Sequence, residues 1–212
     1  MKKTILLLAF ILLVFCNINA QDDRGKYALE FNFTPAALVD ANAGSMFQMP
    51  NLKGRYFLSS DLAARIGLGL GFSNNKNFTD ANGNDFVKTT YVNFSLTPGI
   101  EKHFGSDKFF IFLGAELPIV FNSNNYLEST GGNEVEYTNP YGSGHIGIGL
   151  DAIVGFDFYI FNTIYVGAEF SPGLMFSKIT DTTIGGVTMM KGGTDLSFYL
   201  SSSSGVRLGV RF

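Results

Sequence analysis

The stretch Gly205-Val206-Arg207-Leu208-Gly209-Val210-Arg211-Phe212 alternates without a break. Val206, Leu208, Val210 and Phe212 share one parity, and Arg207, Gly209 and Arg211 share the other, which is the period-two signature of a β-strand. Chain ends usually fray unless an ordered element holds them, so Phe212 is expected to sit within a strand and not in a tail. A strand this apolar on one side and this basic on the other needs two different surroundings, and the remainder of the chain shows the same division.

Upstream, Tyr27, Leu29, Phe31 and Phe33 oppose Ala28, Glu30 and Asn32. Leu52 to Leu58 carries Lys53 and Arg55 on its polar side, and Leu62, Ala64, Ile66, Leu68, Leu70 and Phe72 oppose Arg65 and three glycines. Val92, Phe94, Leu96 and Ile100 face away from Asn93, Ser95, Thr97, Glu101 and His103. From Phe109 to Phe121 the apolar parity opposes Gly114, Glu116 and Asn122, although Phe110 and Phe112 interrupt the polar side. Ile146 to Phe158 opposes Gly147, Gly149, Asp151, Gly155 and Asp157, and Ile164 to Phe176 opposes Gly167, Glu169 and Ser171. The last run begins at Leu196, with Tyr199 on the polar side. Eight strands and no helix are predicted. Pro98, Pro118 and Pro172 fall inside these runs and remove ladder donors, so bulges or local distortion are expected there. Ser59 to Asp61, Gly105 to Lys108 and Tyr159 to Asn162 read as tight turns, whereas Ala36 to Met46, Asn74 to Asp85, Ser123 to Ser143 and Lys178 to Thr194 read as long loops. Long loops therefore share one end of the sheet, and tight turns the other.

Residues 1–20 carry Lys2 and Lys3, an apolar run from Ile5 to Phe15, and the small Ala20 before Gln21, the pattern of a cleaved secretory signal preceding a domain over residues 21–212. Phe15 before Cys16 does not suit lipidation, where a small residue is needed. Loss of Lys2 and Lys3 leaves 13 of the 15 basic residues against 18 acidic ones, a balance that excludes nucleic acid as the expected partner. The sole cysteine, Cys16, lies in the signal, so disulfides and thiol chemistry are excluded from the remaining domain. After the signal no apolar run approaches the roughly 20 residues of a membrane helix.

Alternation alone does not say which parity faces inward. Charges of both signs on the glycine-rich parity do: Lys53, Arg55, Arg65, Arg207 and Arg211 against Glu30, Glu101, Glu116, Asp151, Asp157 and Glu169. Such a set can neutralise itself within a narrow lumen, with glycines making room, while the apolar parity meets lipid. Phe104, Phe109, Phe158 and Phe212 near the turns, and Phe33, Phe72, Phe121 and Phe176 near the loops, are placed as two interfacial girdles. An open edge in hydrocarbon would strand backbone polar groups, so the final strand is expected to close on the first.

With its export signal, alternating strands, loop asymmetry and terminal run, the chain resembles the small outer-membrane β-barrel proteins of Gram-negative bacteria, the OmpA-like and OmpX-like group. The resemblance implies an all-β, eight-stranded antiparallel up-and-down transmembrane barrel with short periplasmic turns and long extracellular loops. It also implies that Val206, Leu208, Val210 and Phe212 serve as the signal read by the barrel-assembly machinery. The partners it implies are outer-membrane lipid, lipopolysaccharide and an extracellular ligand, for a monomer in the cell outer membrane. No peptidoglycan-binding domain is expected after Phe212.

Chemistry is sparse. Ser143 and His145 resemble the Ser/His pair of lipid A-modifying barrels, but their spacing is not diagnostic and a polar strand entry is the expected role. His103 beside Glu101 reads as part of the interior polar set. Asp80 to Asp85 has the wrong glycine position for an EF-hand, with Tyr91 where its glutamate belongs, and Asn82-Gly83 reads as a turn. Glu128, Glu134 and Glu136 with Tyr126, Tyr137 and Tyr141 read as exposed loop composition. Gly67 to Gly71 lies within a strand and is no phosphate loop. No enzyme activity, cofactor or metal is expected. The reading is a filled barrel with a structural or surface-interactive role and no general porin activity. The alternative is an OmpW-like transport barrel for small apolar solutes, with Phe110, Phe112, Val120 and Ile153 in a hydrophobic upper lumen, and a lipid A-modifying enzyme comes third.

Overall fold

In a computed structural model, the described residues are 25–33, 52–80, 83–200 and 205–212. The signal at residues 1–20, the loop Ala36 to Met46 and the turn residue Asn82 lie outside them, as does the side chain of Phe33. Strands β1 (Tyr27–Phe33), β2 (Leu52–Phe57), β3 (Leu62–Phe78), β4 (Phe86–Ser106), β5 (Phe109–Glu116), β6 (Ile119–Thr130) and β7 (Asn133–Thr138) precede a 3-10 turn at Pro140–Gly142. Then come β8 (His145–Tyr159), β9 (Ile164–Phe170), β10 (Gly173–Ile179), β11 (Thr182–Ile184), β12 (Val187–Met190), β13 (Thr194–Tyr199) and β14 (Gly205–Arg211). All fourteen join one antiparallel sheet. The pairings return to their start: β1 bonds to β2 on one side and to β14 on the other. The end of this seam is fixed by reciprocal bonds between Tyr27 and Phe212, 2.9 and 2.8 Å.

Among the described residues fourteen strands are found where the alternation predicts eight: the last run is described as two strands, β13 and β14, and the other additions have two reasons. First, the prolines interrupt long runs. Leu117-Pro118 separates β5 from β6, and Ser171-Pro172 separates β9 from β10. The expected bulges are absent at both: Glu116 pairs with Asp151 and Ile119 with Ile148, so the register passes Pro118 unshifted. Likewise, Phe170 pairs with Val154 and Gly173 with Asp151. Pro98 does not break β4 at all. Each proline still accepts across its seam, from Leu117, Gly149 and Ala152 respectively, and forfeits only the reciprocal donation. Because N–H and C=O of one residue point to the same side of an antiparallel strand, the opposite face of each proline keeps its full ladder. Among the described residues the one large irregularity in register lies elsewhere: Glu169 pairs with Gly205 and Gly173 with Tyr199, four steps on one side against six on the other.

Second, the regions read as long loops are largely strand. β3 runs on to Phe78 and β4 starts at Phe86, so the expected loop Asn74 to Asp85 is cut to a turn. β6 continues to Thr130 and returns as β7 through Gly131-Gly132, both at positive φ. β11 and β12 add a further hairpin that pairs onto β7. At the other end the links are short, as the turn residues suggest: Leu58 to Asp61, Asp107-Lys108 and Ile160 to Thr163.

Burial follows the parity. Leu70, Phe72, Ile148, Leu150, Leu174, Phe198 and Phe212 are among the exposed large apolar residues, as are the girdle residues Phe104, Phe109, Phe121, Phe158 and Phe176. Inside, small residues let large ones fit. A Cβ on Gly155 would collide with the ring of Phe112 and the carbonyl of Ala168. Gly155→Val is therefore expected to destabilise the folded form by about 1–3 kcal/mol, read as a lower urea midpoint of the folded band on gels. At the opposite end, Asp181 accepts from the Gly192 N–H at 2.9 Å and pairs with Lys191, which together hold its carboxyl below the ordinary 3.8. That contribution is present above the unfolded value and lost as pH falls through the lowered one, so Asp181→Asn should reduce protection of the Gly192 amide at neutral pH, and the difference should vanish once pH has fallen through that lowered value.

Candidate functional site

The lumen is layered. Nearest the tight turns is an aromatic layer, with Phe57 and Phe110 against His103, Phe110 against Tyr159, and Tyr159 against Tyr165, the ring centroids 5.1 to 6.4 Å apart. Arg211 belongs here: its guanidinium lies over the Phe57 ring at 3.7 Å and its Nε donates to the Gly25 carbonyl at 2.8 Å.

Above it sits the charge layer. Arg55 reaches Glu30 (2.5 Å), Glu101 (2.6 Å) and Asp157 (2.5 Å). Arg65 reaches Glu101 (2.7 Å), Glu116 (2.5 Å) and Glu169 (2.8 Å). Arg207 reaches Glu30 (3.2 Å), Glu169 (3.1 Å) and Asp157, and Lys53 reaches Glu169 (2.6 Å) and Glu116 (3.9 Å). Every one of these four cations thus touches at least two acids. The participants come from β1, β2, β3, β4, β5, β8, β9 and β14, so the network bonds the wall to itself across the lumen. None of the nine is more than 4% exposed. Tyr165 donates to Glu30 at 2.7 Å, and His103 bonds Glu101 at 2.8 Å. Phe112, fully buried, lies beneath both Arg55 (4.9 Å) and Arg207 (4.4 Å).

Of the eleven residues predicted to face the lumen, nine are joined in this network. Asp151 lies higher, where the Tyr199 hydroxyl donates to it, and Arg211 lower. What alternation misses is the aromatic contribution. Phe110 and Phe112 look like interruptions of the polar parity, yet they share its inward direction and give the guanidinium groups a flat, apolar neighbour. They also lie at the tight-turn end, so they do not form the upper-lumen cluster with Val120 that the transport alternative expects.

On the loop side of the charge layer a cavity of about 200 Å³ opens. Lys53, Glu116, Asp151 and Tyr199 form its floor, and Gly67, Gly69, Ser95, Thr97, Pro118, Val120 and Met175 its walls. Beyond it Tyr91 and Asn93 donate to Asn122, whose amide bonds His145 Nε2 at 2.7 Å. Ser143 Oγ, by contrast, has no hydrogen-bond partner, so no Ser/His dyad is formed. Tyr91 is spent on Asn122, away from the Asp80 turn, where Asp80 instead accepts from the Asp85 N–H at 2.9 Å. Among the described residues no three His, Cys, Asp or Glu side chains are grouped to hold a metal.

An antiparallel sheet with its ionic residues gathered inside and its greasy ones turned out defines the class: an outer-membrane type of β-barrel protein. The chain belongs to the OmpA-OmpF-like porin family, whose model matches residues 36–212. Among solved structures it is similar to Ail, the attachment invasion locus protein of Yersinia pestis, at 15% identity and a TM-score of 0.37, covering 88% of this chain and 94% of that one. A likeness at that level adds nothing to the assignment. No characterised protein matches the chain by sequence.

The network makes a direct prediction. Arg207→Met leaves Glu30, Asp157 and Glu169 short of a shared cation and should lower stability by about 3–5 kcal/mol. Lys102→Met, which removes an exposed 3.4 Å pair with Asp61, should leave it nearly unchanged. Urea titration of both proteins in lipid vesicles measures the contrast.

Proposed function

We propose that the chain is an eight-staved transmembrane barrel of the outer membrane, filled at its middle, whose role is structural or surface-interactive. The staves are β1, β2, β3, β4, β5 with β6, β8, β9 with β10, and β13 with β14. Register supports this count. Phe31 pairs with Leu52, then in turn come Leu68, Leu96, Ile119, Ile148, Phe176 and Leu196, eight apolar residues in one circuit. The circuit ends at Leu196, whereas Phe31 itself pairs with Leu208, twelve positions on, two of them due to the irregularity after Tyr199. A net stagger of about ten residues over eight strands corresponds to a tilt near 40°. From Ile146 to Phe158 the outward residues of β8 cover twelve steps, about 40 Å of strand and ~30 Å of height at that tilt, enough for a hydrocarbon core.

The observation that carries the non-porin reading is the charge layer. Four cations and five acids, none more than 4% exposed, reach across the lumen from wall to wall, which supports a lumen closed to water at their level. The protruding strands supply a surface instead. Asn75, Thr89, Tyr126, Tyr137, Ile184 and Val187 are successive cross-strand partners on six strands, and they make a row suited to an extracellular ligand. The assembly machinery would read the terminal alternation from Val206 to Phe212, and lipid and lipopolysaccharide would surround a monomer. Catalysis has no support in the His145 geometry. The transport reading keeps one feature, the cavity above the charges.

Outer-membrane fractionation followed by heat-modifiable gel migration should place a faster-migrating folded band in that membrane. Planar-bilayer recording should give no large steady conductance, and a stable open channel would overturn the filled-lumen reading.

A further inference from the structure

The three prolines fall in neighbouring seams of the same wall. Pro98 faces Leu117, Pro118 faces Gly149 and Pro172 faces Ala152, so the carbonyls of Leu117, Gly149 and Ala152 receive no ladder donation from their partners. Elsewhere the ladder runs longer without such a loss: β3 pairs with β4 over all seventeen positions from Leu62 to Phe78. In water a missing donation is repaired by solvent; against hydrocarbon it is not, and the seam is held by fewer bonds. The weakened wall is also the wall of the cavity: Glu116, Pro118, Asp151 and Met175 line it. At the centre, Pro118 meets Gly149, and the missing Cβ leaves its space to the Pro118 ring and the Met175 methyl, 2.9 and 3.2 Å from where it would stand, so the inner side of the seam is covered only by that ring and a flexible thioether.

Resting on the barrel reading above, we propose that the Pro118–Gly149 seam is a side port from the outer leaflet into the cavity, which takes a short aliphatic ligand ending in a hydrogen-bond donor. About 200 Å³ holds roughly seven water-sized volumes, room for a chain of some ten heavy atoms. Val120, Pro118 and Met175 offer it an apolar wall. On the floor Lys53 and Glu116 are held in the charge layer, Lys53 by Glu169 at 2.6 Å and Glu116 by Arg65 at 2.5 Å, so the group a ligand end meets is Asp151, an acceptor for the Tyr199 hydroxyl, which favours a hydroxyl or ammonium end over a carboxylate. An apolar chain of this size partitions into lipid, which is why the entrance opens sideways, below the polar layer of Asn93, Asn122 and His145.

The chain has no tryptophan and its only cysteine lies in the signal, so clean probes can be introduced. Tyr199→Trp places a reporter in the cavity that keeps a ring N–H toward Asp151. Ile119→Cys with Ile148→Cys pairs two outward residues next to a bonded pair, at a spacing suited to a disulfide. In vesicles, 8-bromooctan-1-ol should quench the Tyr199→Trp emission and 8-bromooctanoate should quench it less. The disulfide should slow the onset of quenching roughly tenfold or more, with recovery on reduction. Leu150→Trp, facing outward on the same wall, should be quenched with or without the disulfide. Absence of cavity quenching with Leu150→Trp still quenched, equal quenching by alcohol and carboxylate, or an onset unchanged by the disulfide each overturns the side port or its ligand. Failure to quench Leu150→Trp overturns the barrel reading and the port with it.

Discussion

Nine ionised side chains in one narrow interior have almost no water to turn to, and the rest of the molecule is arranged around that fact. Each must meet the opposite sign at bonding distance, because an isolated buried charge would be several kcal/mol out of balance. The partners of Glu169 come from β2, β3 and β14, and those of Glu30 from β2 and β14, so satisfying the charges requires the circuit of strands to be complete. Ladder hydrogen bonds define the wall, and the ion pairs prevent it from being assembled in any other register.

The same interior explains the distribution of small and aromatic residues. Long guanidinium side chains need space, which Gly99 provides beside Arg65 and Gly167 beside Arg207, and they need a surface that does not compete for their donors. The face of Phe112 meets that need between Arg55 and Arg207. Above the charges, where glycine continues but long side chains stop, the cavity is what remains. Its floor is therefore shared with the charge layer through Lys53 and Glu116, with Asp151 and Tyr199 beside them.

Much of this was legible in the sequence, because a strand reports both of its faces at once. Parity alone located Arg55, Arg65, Glu101 and Arg207 on the interior, and the family match agrees with the resemblance drawn from the terminal run. Three things were not legible. Alternation says which way a residue points but not how far along the axis it lies, so Phe110 and Phe112 were assigned to the wrong end of the lumen. It also cannot separate loops from strands that run on in polar residues, as β3 does through Ser73-Asn74-Asn75-Lys76. Finally, a proline in a strand pattern signals a missing donor without saying whether the register shifts. Here it does not, because the lost donation is confined to one side of each strand.

The connectivity of the charge layer also bears on how such a chain can drift over generations. An isolated ion pair may exchange its signs through two compensating substitutions. Arg55, Arg65 and Arg207 each serve three acids that are themselves shared, so no pair of changes restores balance and intermediates are penalised on every route. The outward positions face only a demand for greasiness, which many residues meet. Divergence should therefore accumulate on the outside of the cylinder while the interior stays frozen as a block, the reverse of the pattern in a soluble protein whose ionic residues lie on its skin.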